Sequence, residues 1–576
     1  MECMKRNSLL LSFCLLVSSL LAVPVRPVSF VATQTDGSRI TLMPHGDEFL
    51  HYYMTEDAQP VLCGQDGGYY HVTFNALGQM IPSSMLAHEP QDRTAVERTF
   101  LTKRGEVKGM LSAVRQKNSK VRQLAPSSLS PQTRSSYVGE KPGLVILVQF
   151  PDCKFSIPNV TSFYQEVLNG NGAPQYNIPA SVNRYFSDQS NGMFNLKFDV
   201  AGPVTVSKSL TYYGSNNSWG NDKNPEKMVE EAVRLCAPEV DYSAYDWDND
   251  GFADQIFVIY AGYGESQGAP SYTIWPHSSA LSSAGASPQF NGVRIDTYAC
   301  SSELSGNSGV EPDGIGTFCH EFSHCLGLPD FYDVDYSGGY GMFFWSLMDA
   351  GCYCGPELKG EVPCNYTGYE RWMCGWDEMT ELTQGCRVEG MASITDFGPT
   401  YVIRNQAYSN EYYLLENRQQ TGWDAYLPAH GLLVMHVDYD ERAWLQNTVN
   451  DVKSHQRFVV VPADNRETQT FADSKGDVYP GLTGKTSFTD TTVPAATLFH
   501  ANADGRKFLG QPIEQITEAS DGKISFVFNG GESDAIHGVP ASAKASTGMY
   551  TLQGQPVEKT VGSGIYIKDG QKVLVK

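Results

Sequence analysis

What this chain lacks first is basic charge. Its 42 Lys and Arg face 64 Asp and Glu, a formal net charge of -22. A nucleic-acid partner favours a basic face, so that class is excluded. Beyond the N-terminus no apolar run approaches the ~20 residues that a membrane-spanning helix needs. A long internal repeat is absent too, so the 576 residues must be shared among distinct units, and three or more are expected. With 41% of the residues hydrophobic, there is material for sizeable cores.

The N-terminus carries the pattern of an export signal. Lys5 and Arg6 precede an apolar run from Leu9 to Ala22, and cleavage is expected near Ala22 to Pro24. Of 13 cysteines, Cys3 and Cys14 leave with that signal, and most of the others lie between Cys153 and Cys386. In an exported chain this usage predicts disulfides, whose pairing the sequence does not give.

Residues 25–115 alternate short apolar runs with turns such as Thr35-Asp36-Gly37 and Asp66-Gly67-Gly68, which predicts a small β unit followed by a charged helix. Asn118 to Gly143 is polar and proline-punctuated, a linker open to proteolysis. Leu144 to Val148 and Ile256 to Tyr260 read as buried strands. Between them, Asn224-Pro225 followed by Met228, Ala232 and Leu235 predicts a helix. This mixture indicates an α/β unit to about Glu381. From Cys386 to Phe528 strands dominate, as in Tyr412 to Leu415 and Leu432 to Met435. A Gly/Ser/Ala linker and a short β-like tail end the chain.

The strongest chemical signal is His320-Glu321-Phe322-Ser323-His324. Histidines at i and i+4 share one helix face, so both imidazoles can reach one ion. Zinc–nitrogen bonds of ~2.0 Å need that convergence. Glu321, next to the first ligand, can act as general base toward a water on the ion. Ile315, Cys319, Phe322 and Leu326 form an apolar stripe that would dock the helix on a core. Gly327 can stop it in a left-handed turn, and Pro329 bars its continuation. Asp330, ten residues after His320, is then placed to be the third ligand, with Asp333 the next candidate. A fourth position stays open, as catalytic zinc requires.

His320-Glu321-x-x-His324-x-x-Gly327-x-x-Asp330 is similar to the metzincin signature, with Asp in place of the commoner third His. With Leu328-Pro329-Asp330-Phe331-Tyr332-Asp333 it resembles the immune inhibitor A family of secreted bacterial metalloproteases. Trp345 to Gly351 resembles that family's Met-turn, which implies that Met348 floors the metal site. Further resemblance lies in Ser181 to Phe186, Ile274 to His277, Glu416 to Gln419, Trp423-Asp424 and Gly431 to Asp438, and in the His45 to Phe49 region of a pro-segment. The family's activity is endoproteolysis of protein substrates. Many metzincins place a Tyr two residues after the Met-turn methionine; here that residue is Ala350, and Tyr353 is only a distant substitute. The tail from Met549 to Lys576 resembles sorting domains of type IX secretion, which implies that machinery as a partner.

Three further features invite function. Asp246, Asp248, Asp250 and Asp254 around Gly251 form an oxygen-rich loop like the first part of an EF-hand, a candidate calcium site, although Phe257 stands where the loop's closing Glu belongs. Cys63, upstream of the linker, is a candidate latency thiol that would cap the metal, with Asp47 an equal alternative. His436 and Asp438 alternate on one strand face, where a hydrogen-bonded pair is expected rather than a second metal.

The expected organisation is a signal (1–23), a pro-segment (24–117), a linker and activation region (118–143), an α/β (α+β) metzincin-like zinc protease domain (144–382), a β-rich accessory domain (383–530) and a linker with sorting-like tail (531–576). The expected product is a secreted or surface-held, monomeric, latent zinc endopeptidase. The competing class is a surface binding protein on an inactive protease fold, which would have no use for Glu321.

Overall fold

The computed structural model describes residues 23–114 and 137–531, apart from 48–49, 105–106, 108, 112, 218–219 and 468–469, together with four short strands of the tail. The export signal, Val23 excepted, and most of the linker lie outside the described residues. No described helix is long and apolar enough to cross a membrane.

The first unit is a six-stranded antiparallel meander: β1 (Phe30–Thr33), β2 (Arg39–Gly46), β3 (His51–Thr55), β4 (Pro60–Cys63), β5 (Tyr69–Phe74) and β6 (Met80–Leu86). The Thr35-Asp36-Gly37 turn joins β1 to β2, with Gly37 in the left-handed region at φ +86° that its missing Cβ permits. A helix, Ala95–Arg104, follows. Its buried Glu97 receives His71 Nε2 at 2.8 Å and His88 Nδ1 at 2.8 Å, which ties helix to sheet.

The second unit is built on five strands: β7 (Gly139–Gln149), β8 (Phe194–Thr205), β9 (Ile256–Tyr263), β10 (His277–Ala280) and, after a hairpin of β11 (Gln289–Phe290) and β12 (Val293–Arg294), β13 (Thr297–Leu304). Their order is β10-β13-β9-β7-β8, parallel except for the antiparallel edge strand β10. Such a sheet is covered on both faces, and side chains alternate between them. Val145 and Leu147 of β7 pack with helices Val160–Asn169, Val182–Gln189 and Ile315–Cys325. Leu144, Ile146 and Val148 pack on the other side with helix Pro225–Cys236. The continuous apolar reading of 144–148 thus reflects a strand buried on both sides.

The third unit has a five-stranded sheet, β14 (Thr380–Glu381), β16 (Tyr401–Arg404), β17 (Glu411–Arg418), β18 (Gly431–Asp438) and β19 (Phe458–Val460). It also has a four-stranded sheet of β15 (Cys386–Met391), β20 (Ile513–Glu518), β21 (Ile524–Phe528) and β22 (Ile536–His537). Alternation decides its docking. Tyr412, Leu414, Leu433 and Met435 face the core of the second unit, while Tyr413, Leu415, Leu432 and Val434 face the smaller sheet. The tail adds β23 (Met549–Tyr550), β24 (Gly564–Lys568) and β25 (Gln571–Val575), an antiparallel three-stranded sheet.

One expectation is corrected. All eleven described cysteines are free thiols. Cys319, Cys352, Cys354, Cys364 and Cys374 are buried in the shared core, where each packs as a small apolar group. Burial pushes their thiols up, away from the reactive thiolate, at Cys319, Cys352 and Cys364.

The units are locked by Arg418, fully buried at the end of β17. Its guanidinium donates to both carboxylate oxygens of Asp424 (2.9 and 2.8 Å), to Glu416 Oε1 (3.0 Å) and to Trp345 O (2.9 Å). The same carboxylates accept Asn365 N and Gly368 N. Arg418→Ala should leave two buried carboxylates unpaired and destabilise the protein by about 3–5 kcal/mol, read by urea unfolding. A loss below ~1 kcal/mol would show that the clamp carries no such load.

Candidate metal centre

Helix Ile315–Cys325 is placed by its own apolar stripe. Ile315, Cys319, Phe322 and Leu326 are all buried in the shared core, as the spacing predicts. Phe322 packs on Phe186 and Phe198, and Phe318 stacks on Phe257 of β9. The opposite side meets segment 350–360 at backbone distance. Gly316 N donates to Gly360 O at 2.9 Å, and a Cβ on Gly316 would lie 1.7 Å from Cys352 O. Glycine is therefore required there. Gly327 ends the helix at φ +85°, and its N–H donates to His324 O.

This geometry turns Asp330 back under the histidines. Asp330 Oδ1 lies 3.2 Å from His320 Nε2 and 3.4 Å from His324 Nε2. The imidazole planes stand at 89°, with centroids 4.8 Å apart. Each ring is aimed by its other nitrogen: His320 Nδ1 donates to Leu347 O and His324 Nδ1 to Leu328 O, both at 2.8 Å. With Nδ1 as donor, Nε2 presents a lone pair inward. His320 Nε2, His324 Nε2 and Asp330 Oδ1 are buried and have no hydrogen-bond partner among the described residues. Three convergent, buried, unsatisfied donor atoms fit a bound cation, and two nitrogens with one carboxylate oxygen fit a transition metal. Burial pushes the Asp330 carboxyl up, but the imidazoles of His324 and His320 outweigh it and hold the group at about 2. Burial lowers the His320 imidazole, which favours the neutral, ligating form.

Supporting groups come from far along the chain. Asn447 Nδ2 donates to Asp330 Oδ2 and Asn447 Oδ1 accepts Asp330 N, both at 2.7 Å. Asn450 Nδ2 donates to Phe331 O at 2.7 Å. Met348 is fully buried beside the Leu347 carbonyl that aims His320. Its N–H donates to Ser346 Oγ and to Glu370 Oε1, and Glu370 also closes a capping box with Thr367. Asp333 points elsewhere, accepting Gly338 N and Gly339 N, so Asp330 is the carboxylate brought to the histidines.

The group lying on Glu321 is main chain from the first unit. Val23 N donates to Glu321 Oε1 at 2.6 Å. Trp275 Nε1 donates to Val23 O (3.1 Å) and Tyr353 Oη to Pro24 O (2.7 Å). Val25 N then donates to Gly46 O of β2 and Arg26 N to Ser266 O. His51 packs against the Trp275 ring at 5.1 Å. Cys63 sits exposed at the end of β4 with its thiol toward Gly64 O, and Asp47 accepts Leu50 N in a buried turn. Ala350 is buried and offers no polar group.

Asp246, Asp248 and Asp250 converge, whereas Asp254 is not in that group. Asp246 accepts Asp250 N and Gly251 N, Asp248 accepts Asp250 N, and Asp254 accepts Trp247 N. Burial, above all, pushes the Asp254 carboxyl up to about 7.

A helix with two histidines one turn apart, a glutamate between them and an aspartate beyond a glycine turn, set on an α/β sheet, defines a metallopeptidase-type centre. Residues 140–378 match the family model for the immune inhibitor A peptidase M6, catalytic domain, and this segment belongs to that family. The pre-pro-metalloprotease PrtV of Vibrio cholerae is 26% identical over 273 residues, 40% of this chain and 28% of that protein. Immune inhibitor A of Bacillus thuringiensis subsp. alesti is 25% identical over 284 residues, 41% of this chain and 40% of that protein. The chain thus spans less than half the length of these relatives.

Asn447 carries no sequence signal, being 117 residues from the carboxylate it holds. Outer groups of this kind tune metal affinity. Asn447→Ala should weaken zinc binding about 10- to 100-fold in competition with a chromogenic chelator, with folding retained. Unchanged affinity would mean that Asp330 is oriented without it.

Proposed function

We propose that this chain is an exported, zinc-dependent endopeptidase with a metzincin-like catalytic domain, made as a latent zymogen. The observation that carries the reading is the convergence of His320, His324 and Asp330, with unsatisfied atoms, beside Glu321. Zinc bound there supplies Lewis acidity to water and to the scissile carbonyl. Glu321 takes the proton from water and returns it to the leaving amine. Met348 supports the site from below, next to the carbonyl that orients His320. Protein substrates follow from the family of residues 140–378.

Latency is supported by main chain lying on the general base. While Val23 N holds Glu321 Oε1, that oxygen is engaged, and the two clamps on Val23 O and Pro24 O keep the segment in the cleft. In this reading the signal is cut before Val23, one residue earlier than the 1–23 boundary, and Val23 and Pro24 do the blocking, rather than the exposed thiol of Cys63. Activation follows a cut in the linker and departure of the first unit. The basic and apolar run before Val23 supports export, and the relative named a pre-pro-metalloprotease fits a chain with both segments. Type IX secretion remains a proposal on the tail's resemblance alone. A calcium ion at Asp246, Asp248 and Asp250, reached by Asp254 after rearrangement, would have a structural role.

Glu321→Ala should lower casein hydrolysis by at least ~100-fold while zinc content stays at the parent level. Hydrolysis at the parental rate would remove Glu321 from the mechanism. In the full chain, Trp275→Phe and Tyr353→Phe should each raise activity measured before any linker cleavage, because each frees one carbonyl of the blocking segment. Activity no higher than the parent's in both would contradict the blocking role of Val23 and Pro24.

A further inference from the structure

We propose a second transition-metal site in the third unit, formed by Asp438, His455 and His500 and suited to zinc. It is independent of the peptidase reading. Asp438 ends β18, His455 closes the turn Lys453–His455, and His500 lies in the loop before β20. His455 Nε2 is 2.6 Å and His500 Nε2 3.3 Å from Asp438 Oδ2, and one ligand atom from each residue lies within 4.8 Å of the others. The centre at His320 has the same donor set, one carboxylate and two Nε2 atoms, at 3.2 and 3.4 Å. Nitrogen donors select zinc-like ions over calcium or magnesium.

The ligands are held in place before any ion arrives. The His455 ring stacks on Phe499 at 3.8 Å, and the His500 ring lies on Tyr408 at 4.0 Å. Glu411, directly opposite Asp438 across β17 and β18, accepts Phe499 N at 2.5 Å and His500 N at 3.0 Å, which fixes the loop carrying the second imidazole. His436 belongs to Glu411, at 3.1 Å, and is not a ligand.

Charge points the same way. Asp438 and Glu411 are two fully buried carboxylates, and the cation against Asp438 is Arg457, with Nη1 3.1 Å from Oδ2. With neutral imidazoles one negative charge is left over in a buried place, and Asp438 Oδ1 has no hydrogen-bond partner among the described residues. A divalent cation between Asp438 Oδ2 and the two imidazoles would supply that charge, leaving Arg457 hydrogen-bonded beside it. Protonated imidazoles are the alternative, and they would need no metal. The partly exposed edges of both rings give an ion a way in.

The site would also have a consequence for the first centre. Asp438 and His455 bracket the segment that carries Asn447 and Asn450, the two side chains that hold Asp330 and the Phe331 carbonyl. An ion shared by Asp438 and His455 staples that segment at its base.

The test is metal stoichiometry on the full chain, stripped with a chelator, equilibrated with zinc and freed of excess. His320→Ala/His324→Ala protein should keep about one zinc per chain, and adding His455→Ala and His500→Ala should remove it. Cobalt in the His320→Ala/His324→Ala protein should give visible ligand-field bands that disappear with the further substitutions. If the fourfold variant fails to fold by circular dichroism, His500→Gln alone, at a half-exposed side chain, should weaken zinc at this site at least tenfold. Zinc content and cobalt bands that do not change on loss of His455 and His500, or no zinc in the His320→Ala/His324→Ala protein, would overturn the proposal. Failure of the peptidase reading would show differently, as loss of the zinc assigned to His320 and His324 with this one retained.

Discussion

Two hydrogen bonds of 2.8 Å, from His320 Nδ1 to Leu347 O and from His324 Nδ1 to Leu328 O, set the chemistry of the centre. They fix both tautomers and leave both Nε2 atoms buried and facing Asp330. A buried imidazole nitrogen with no partner is costly, and two of them beside an unsatisfied carboxylate oxygen are costlier still. The arrangement becomes favourable when an ion occupies the gap. The fold keeps it by over-determining each backbone segment involved. Gly316 lets the helix lie against Cys352 O, Gly327 turns the chain, and Met348 O accepts Phe331 N.

The third unit is part of this constraint rather than an appendage. Arg418 reaches from β17 to the Trp345 carbonyl at the start of the turn that contains Leu347 and Met348. Asn447, from the loop after β18, orients Asp330. Both faces of the β17–β18 sheet are apolar because one packs on the ligand helix's core and the other on the smaller sheet. A catalytic domain cut at its own C-terminal boundary would lose the Asp424–Arg418–Glu416 clamp and the Asn447 amide behind Asp330.

What could be read from the sequence follows the range of the forces involved. The histidine helix, its glycine stop and Asp330 fall within one short stretch of sequence, 315–330, so their spacing is legible, although the groups that hold them in place are distant. The strands at 144–148, 256–260, 412–415 and 432–435 were legible because burial on both faces leaves an uninterrupted apolar run. Asn447, Arg418 and Val23 act across 117, 73 and 298 positions, and single polar residues carry no periodicity to reveal such partners. Glu416 to Gln419 and Trp423-Asp424 drew notice only as family resemblance; their physical role as a buried ion clamp needed the fold. Cysteine count misled because an export signal argues for disulfides, whereas these thiols serve as close-packed apolar groups. His436 and Asp438 do share a strand face, yet each turned to a different partner, Glu411 and the His455–His500 pair, which lie beyond local reach.

Crystals of the full chain grown with zinc and measured at the zinc absorption edge would test the first centre directly. The account predicts an anomalous peak at bonding distance, ~2.0–2.2 Å, from His320 Nε2, His324 Nε2 and Asp330 Oδ1. Zinc bound in the crystal but absent from the point where these three atoms meet would contradict it.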